Sequence, residues 1–123
     1  MSHITTIKDI LIKDLKVLAV AVKRLKTAQL STHQEQPVKL YQEEPVMAVG
    51  QISLPGWRYP VLISKTGEIH YDNYGGLWGD ISELNKLKQV YGVEKAKQLA
   101  RLQGYTCNEK TKQDGTILLE MTR

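Results

Sequence analysis

The stretch of sequence that decides the fold is WRYPVLISKTGEIHYDNYGGLWG, residues 57–79. Residues 59–64 and 68–71 carry the aromatic and β-branched side chains that strands favour. The Lys-Thr-Gly sequence between them, at residues 65–67, is a turn signal, so the two runs predict a β-hairpin. The Gly, Asp and Asn residues of 72–79 favour turns and positive φ angles, and they predict a loop after the hairpin.

A helix is predicted upstream of this stretch. Asp14 is a suitable N-cap, because its carboxylate can accept hydrogen bonds from the free N–H groups of a first helical turn. Apolar residues then recur at steps of three and four, which places on one helix face Leu15, Leu18, Val22 and Leu25. We expect this helix to end within residues 26–29.

A second helix is predicted after the loop, with either Asp80 or Ser82 as its cap. Apolar residues at helical spacing extend to Leu102, and Gly104 suits the C-terminal end because glycine takes the left-handed conformation easily. Gly92 interrupts the pattern, so the segment is either one helix with a soft point or two helices that meet there.

Further strands are predicted nearer the N-terminus. Residues 2–7 are rich in β-branched side chains and predict a first strand, which Ile10 and Ile12 extend by alternation. Apolar residues spaced two apart occur at 38–40 and 46–52, on either side of a Glu-Glu-Pro break, and predict two short strands.

Two other segments complete the pattern. Residues 30–37 show no apolar period and predict an exposed connection. Near the C-terminus, residues 105–109 and 116–121 flank Gln-Asp-Gly at 113–115, which is the strongest hairpin signal in the chain.

The order of these elements predicts an α+β fold. Strand, helix, several strands, helix and two strands favour an antiparallel or mixed sheet of about five to seven strands, with two main helices packed on one face. The length of 123 residues and the lack of internal repeats predict a single domain over residues 1–123.

Charge gives only weak information about partners. The chain has 17 Lys and Arg against 13 Asp and Glu, a net charge of +4, and these charges alternate along the sequence. Few of the cations are arginine, the residue that binds phosphate and guanine in a bidentate way. The pattern is therefore more typical of solvated helix faces than of a nucleic-acid surface.

The single cysteine and the N-terminal sequence bear on location. Cys107 has no second cysteine to pair with, which favours a reducing compartment, and at a strand position we expect it to pack as a small apolar residue. The first residues lack the features of a secretory signal or transit peptide. The longest apolar run, residues 17–22, is too short to span a membrane.

The most unusual local chemistry is aromatic. Five residues form a candidate partner-binding patch: Trp57, Arg58, Tyr71, Tyr74 and Trp78. The hairpin is expected to bring them to the same end of the sheet, and Trp, Tyr and Arg are the residue types that dominate interface hot spots. A second role stays open, in which the rings close the rim of a core that contains no phenylalanine.

Other kinds of site find less support in the sequence. Gly75, Gly76 and Gly79 match no phosphate-binding motif, and no nucleophile–base pair emerges, so no cofactor is expected. An enzyme or metal site is still conceivable if the fold brings together His3, His70, Tyr71 and Asp72.

The two ends of the chain carry a resemblance to a known family. The opening residues concerned are Met1, Ser2, His3, Ile4, Thr5, Thr6, Ile7, Lys8, Lys13, Asp14 and Leu15. The closing residues are Gln89, Val90, Tyr91, Val93, Ala96, Ala100, Gly104, Tyr105, Asp114, Gly115, Thr116, Ile117 and Leu119. In this order and spacing they resemble small uncharacterised proteins encoded in algal plastid genomes and cyanobacteria, a domain of unknown function of the hypothetical chloroplast reading-frame type. The likeness is looser across residues 30–57.

This resemblance implies a location more than a chemistry. It implies the plastid stroma for an organelle-encoded chain, or the bacterial cytoplasm, and it transfers no activity, ligand or functional residue. Related bacterial genes sometimes lie near an ATPase of the AAA class, which makes such an ATPase a candidate partner by association.

From the sequence we therefore expect a non-enzymatic protein-interaction or adaptor domain that docks a partner through the aromatic patch. The alternatives are a nucleic-acid-associated module that uses the lysine excess, and an enzyme or metal protein with an unrecognised site.

Overall fold

The computed structural model describes residues 5–7, 10–41 and 44–123, with the side chains of 5–7 outside the description. The helices and strands are β1 (Thr5–Ile7), α1 (Leu15–Leu25), β2 (Gln29–Val38), β3 (Val46–Ser53), β4 (Val61–Ile63), β5 (Ile69–Tyr71), α2 (Ile81–Leu102), β6 (Thr106–Thr111) and β7 (Ile117–Thr122). A short 3₁₀ turn at Tyr74–Gly76 lies between β5 and α2. Within these described residues no helix is long and apolar enough to cross a membrane.

The strands of the described chain form two sheets. The larger sheet has the order β1-β5-β4-β3-β2, and the smaller one is the β6-β7 hairpin. Every neighbouring pair is antiparallel. It follows that β1 and β2 run in the same direction at opposite edges of the larger sheet, and α1 carries the chain from one edge to the other.

The α+β class and the two main helices are thus confirmed, but the expectation of one sheet is wrong. The C-terminal hairpin forms a separate sheet, in which β6 and β7 pair only with each other among the described strands. The mixed alternative is also wrong, since no described pair is parallel.

The first helix begins as predicted. The Asp14 side chain accepts hydrogen bonds from the N–H groups of Lys16 and Val17, each at 3.1 Å. Its other carboxylate oxygen lies 3.2 Å from the Lys95 ammonium group on α2, so one residue caps α1 and ties the two helices together. The backbone N–H of Val17 is the main cause that lowers the pKa of Asp14.

The second helix is continuous through Gly92, so the two-helix alternative is wrong. Asp80 is its cap and accepts from the Ser82 N–H at 2.9 Å. At the other end Gly104 has a φ of 86°, and the Tyr105 N–H donates to the Ala100 carbonyl at 2.9 Å. These bonds form the glycine-dependent termination that the sequence predicts.

Three sequence predictions fail in the N-terminal half. Residues 30–37 lie in the long strand β2 instead of an exposed connection. The strand predicted at 38–40 is wrong, because β2 ends at Val38 and residues 39–40 lie in no strand. Because β2 is an edge strand and mostly exposed, nothing requires it to carry a regular apolar period. Ile10 and Ile12 do not extend β1; Ile12 is buried and donates one backbone hydrogen bond to the Gly67 carbonyl.

The core has two unequal parts. The larger cluster joins α1 and α2 to strands β3, β4 and β5, and at its centre are Leu18, Leu87, Ile52, Val61, Ile63 and Ile69. The smaller cluster contains Leu40, Ala48 and Leu62, with Tyr59 packed against it. Leu62 lies between Val61 and Ile63 on β4, so its side chain points to the opposite face of the sheet.

An ion-pair network holds the β6-β7 hairpin against the helices. Arg24 of α1 contacts Glu109 of β6 through two hydrogen bonds, at 2.6 and 2.8 Å, and Glu94 of α2 at 3.0 Å. Lys97 of α2 also donates to Glu109 at 2.9 Å. Two cations around one carboxylate give the hairpin a charged attachment to both helices.

Candidate functional site

The two tryptophan-bearing segments are neighbours in space. The Arg58 N–H donates to the Trp78 carbonyl at 2.8 Å. The indole N–H of Trp57 donates to the Asp80 carbonyl at 3.1 Å. These bonds fasten the segment before β4 to the loop before α2.

Four rings and one guanidinium group gather at this junction. The Trp78 ring centroid lies 4.7 Å from that of Tyr74, 5.0 Å from Tyr41 and 5.5 Å from Tyr59. The Arg58 guanidinium carbon lies 5.0 Å from the Trp78 ring centroid, within the range of a cation–π interaction. We call the set Tyr41, Arg58, Tyr59, Tyr74 and Trp78 the Trp78 surface.

The Trp78 surface is open to solvent on one side. Arg58 and Tyr41 are exposed, and the other rings are half-buried. Leu77, the next residue in the chain, is 77% exposed, which is a large apolar area to leave in water. Ring faces and a cation are therefore available together on one surface, and an exposed apolar side chain adjoins Trp78 in the chain.

Trp57 and Tyr71 form a separate pair. Their ring centroids are 5.6 Å apart in an edge-to-face arrangement, and both rings pack against the larger core cluster. No ring contact joins this pair to the Trp78 surface within the described chain. The rings of these two predicted patch residues thus line the core, while those of Tyr74 and Trp78 face outward with Arg58.

Two members of the Trp78 surface are absent from the predicted patch. Tyr59 directly follows Arg58 in the sequence, and this adjacency is a signal from which its place in the patch can be predicted. Tyr41 lies far from the other members in sequence and ends 5.0 Å from Trp78. It follows the end of β2, where Val38 lies opposite Val46 of β3.

Arg58 brings an uncompensated positive charge to this surface. No described carboxylate lies within ion-pair distance of its guanidinium group, whereas Arg24 has two such partners. Asp80 lies two residues after Trp78, but its side chain caps α2, and the hydrogen bond from the Ser82 backbone N–H lowers its pKa. The site is suited to a ligand that offers both a carboxylate and apolar or aromatic groups.

The residues of the alternative enzyme or metal site gain little support. His3 lies outside the described residues. His70 lies 4.0 Å from the Glu68 carboxylate, and the Asp72 carboxylate accepts from the Tyr74 N–H at 3.1 Å. The other Asp72 oxygen is buried and has no hydrogen-bond partner among the described residues. No group of three or more metal-ligating side chains occurs in the described part of the chain.

Comparison with known proteins adds no assignment to this geometry. No family model, no curated protein and no solved structure matches the chain.

Proposed function

We propose that this protein is a non-enzymatic interaction domain and that it binds a protein partner through the Trp78 surface. The single observation that carries the proposal is the stack of Arg58 on Trp78, with no described carboxylate within ion-pair distance of Arg58 and with the neighbouring Leu77 77% exposed. A few hot-spot residues carry most of the binding energy at protein interfaces, and they are enriched in Trp, Tyr and Arg.

The chemistry of the surface defines the expected partner. A carboxylate on the partner would pair with Arg58 beside the ring of Trp78, and apolar side chains would cover Leu77 and Tyr41. Such a contact would remove the exposed apolar area from water and would neutralise the free cation at the same time.

The family resemblance supplies the biological setting of this proposal. It supports an AAA-class ATPase as the partner, and the plastid stroma or the bacterial cytoplasm as the compartment. An adaptor needs no catalytic group, which suits a surface built from rings and one arginine.

The test uses affinity purification from the native compartment, with quantitative mass spectrometry of the proteins that co-elute. We expect Arg58→Glu and Leu77→Ser to remove a partner that the unchanged chain retains. Leu102→Ser is the matched control, because Leu102 is 78% exposed and lies at the far end of α2, about 30 Å away by the rise of an α-helix.

Three results would decide the matter. Loss of the same protein in both surface variants, with recovery in Leu102→Ser, supports the proposal. Equal recovery in all variants, each shown to be folded by circular dichroism, contradicts it. Recovery that disappears after nuclease treatment replaces it with the nucleic-acid alternative, which predicts a strong dependence on salt.

A further inference from the structure

We infer that the outer edge of β2, together with the groove between β2 and α1, binds an extended, acidic segment of a partner protein as an added β-strand. The β2 edge shares no residue with the Trp78 surface. It would bind its partner through backbone hydrogen bonds, whereas the Trp78 surface would bind through aromatic rings. The segment would pair with the start of β2 and insert alternate side chains into the groove.

The groove is open and has an apolar floor. Its volume is about 720 Å³, and its apolar lining comes from Leu15, Ala19, Val22, Ala28 and Leu30. Leu30 is half-buried and packs against the larger core cluster. Ala19 is exposed on α1, and its small side chain leaves the space beside the strand unfilled.

The edge beside the groove is free to pair. In the described part of the larger sheet, β2 has β3 as its only neighbour, so alternate residues of β2 point N–H and C=O groups away from the sheet. Residues 29–32 pair with β3 in regular register. They span about 13 Å, enough for several hydrogen bonds to an added strand.

The two halves of β2 differ in how well they are protected against pairing. The second half contains a register shift between Thr32 and Gln36, the charged Glu35 and the proline Pro37. A bulge, a charge and a proline are the usual means of blocking an exposed edge. Residues 29–32, Gln-Leu-Ser-Thr, have none of these features, so the unprotected half is the one that borders the groove.

Charge selects the occupant. Lys16 and Lys23 also line the groove, whereas no acidic residue does. Neither lysine forms an ion pair within the described residues. An incoming strand that turns both apolar side chains and carboxylates toward the groove, at alternate positions, would place negative charge beside both lysines. A second copy of this chain, paired edge to edge, would instead bring like charges together at Lys16 and Lys23.

The binding test uses a defined probe and the full chain. The probe is an acetylated and amidated (Glu-Thr-Val-Thr)₂ peptide, which as a strand carries Glu and Val on one face and Thr on the other. The charge control is (Lys-Thr-Val-Thr)₂, and the backbone control is Glu-Thr-Val-Pro-Glu-Thr-Val-Thr. We expect the (Glu-Thr-Val-Thr)₂ peptide to bind and to shift the NMR amide signals of residues 29–32. The proline peptide should bind more weakly, because proline removes a ladder N–H group.

Variants place the contact on the groove. The double change Lys16→Glu with Lys23→Glu should weaken binding of (Glu-Thr-Val-Thr)₂ about tenfold, since two favourable charge contacts become repulsive. The double change Lys65→Glu with Lys112→Glu is the matched control, because it alters net charge equally at two other exposed lysines. Ala19→Leu should also weaken binding by filling the groove, and Val20→Leu, on another face of α1, should not.

The proposal fails if the amide signals of residues 29–32 do not shift, or if (Lys-Thr-Val-Thr)₂ binds as well as (Glu-Thr-Val-Thr)₂. It also fails if the groove and control variants behave alike. Sedimentation that shows a dimer, broken by the groove variants and not by the controls, would assign the edge to a second copy instead.

Discussion

At Gly79 the chain has no room for a side chain. A Cβ atom built there would lie 2.6 Å from Cε2 of Trp57. The indole ring lies directly against the backbone, and its N–H group is hydrogen-bonded one residue further on, at the Asp80 carbonyl. Gly79 therefore permits the close approach that joins the Trp57 segment to the start of α2.

We expect Gly79→Ala to lower the free energy of unfolding by about 1–3 kcal/mol, because the indole ring or the loop must move to admit a methyl group. Gly92→Ala is the control. It has no atom within 4 Å of the new Cβ and lies inside α2, so alanine should raise the free energy of unfolding by up to about 1 kcal/mol. Urea denaturation followed by tryptophan fluorescence measures both. Equal free energies of unfolding for the two variants would contradict this prediction and would show that the Trp57 ring can move aside at little cost.

The residues of the patch show what sequence can establish at this scale. Their types and the intervening hairpin correctly predict that the segments of Trp57 and Trp78 meet. They do not predict that the Trp57 ring packs against the core. That placement depends on the close contact between the Trp57 ring and the backbone at Gly79. Tyr41 enters from a distant part of the chain, and a contact of that kind has no local signal.

Among the elements, the C-terminal hairpin depends most on charge. Glu109 on β6 accepts hydrogen bonds from Arg24 and Lys97, and these bonds lower its pKa from 4.5 to about 2. The same contact with Glu109 is the main cause that raises the pKa of Arg24. The carboxylate of Glu109 is thus more easily ionised in the folded chain than in the unfolded one.

We expect this network to make the hairpin sensitive to acid. A group whose pKa is lowered by folding contributes stability above its unfolded pKa, and that contribution is lost as the pH falls from about 5 toward 2. Glu109→Gln should lower the free energy of unfolding at neutral pH by about 1 kcal/mol, allowing for solvent screening, and should flatten its decline over that acidic range. Denaturant titrations at a series of pH values measure this.

Glu120→Gln provides the comparison within the same hairpin. Glu120 pairs with Lys110 at 2.8 Å, and both side chains are largely exposed. Because water screens such a pair, it contributes little to the free energy of unfolding. The acidic decline should keep its slope in this variant. An unchanged slope in Glu109→Gln would mean that the network does not set the acid response.

The elements also differ in how well the sequence predicts them. The β4-β5 hairpin, both helices and their caps follow from local signals, and the structure confirms them. Strand β2 has no such signal, since its exposed edge position lets polar residues fill it. The β6-β7 hairpin is found correctly, but its separation from the larger sheet is a tertiary property that turn chemistry does not encode.

Over the whole molecule the apolar contacts are unevenly distributed. Both core clusters are built from residues that precede β6, and no residue of 105–123 is buried. The hairpin depends on polar contacts and on partial packing against α2, whereas Val61, Leu62 and Ile63 of β4 are fully buried. An isolated two-stranded hairpin is only marginally stable in water.

We therefore expect β6 and β7 to open without the rest of the molecule. Native-state hydrogen exchange should give opening free energies for β6 amides about 2 kcal/mol or more below those of β4 amides, which should report global unfolding. Low concentrations of denaturant should leave the β6 values nearly constant and should lower the β4 values. Identical opening free energies for both strands would contradict this picture.

The connection from β1 through α1 to β2 has a consequence for synthesis on the ribosome. Ile7 pairs with Ile69, so the first strand emerges long before its partner has been translated. At about 5–20 residues per second the delay amounts to several seconds, during which β2, β3, β4 and β5 appear in succession and can pair as each one arrives. The strand of this sheet that is synthesised first is thus among the last of its strands to reach its native place, and β1 closes a sheet whose other strands were synthesised after it.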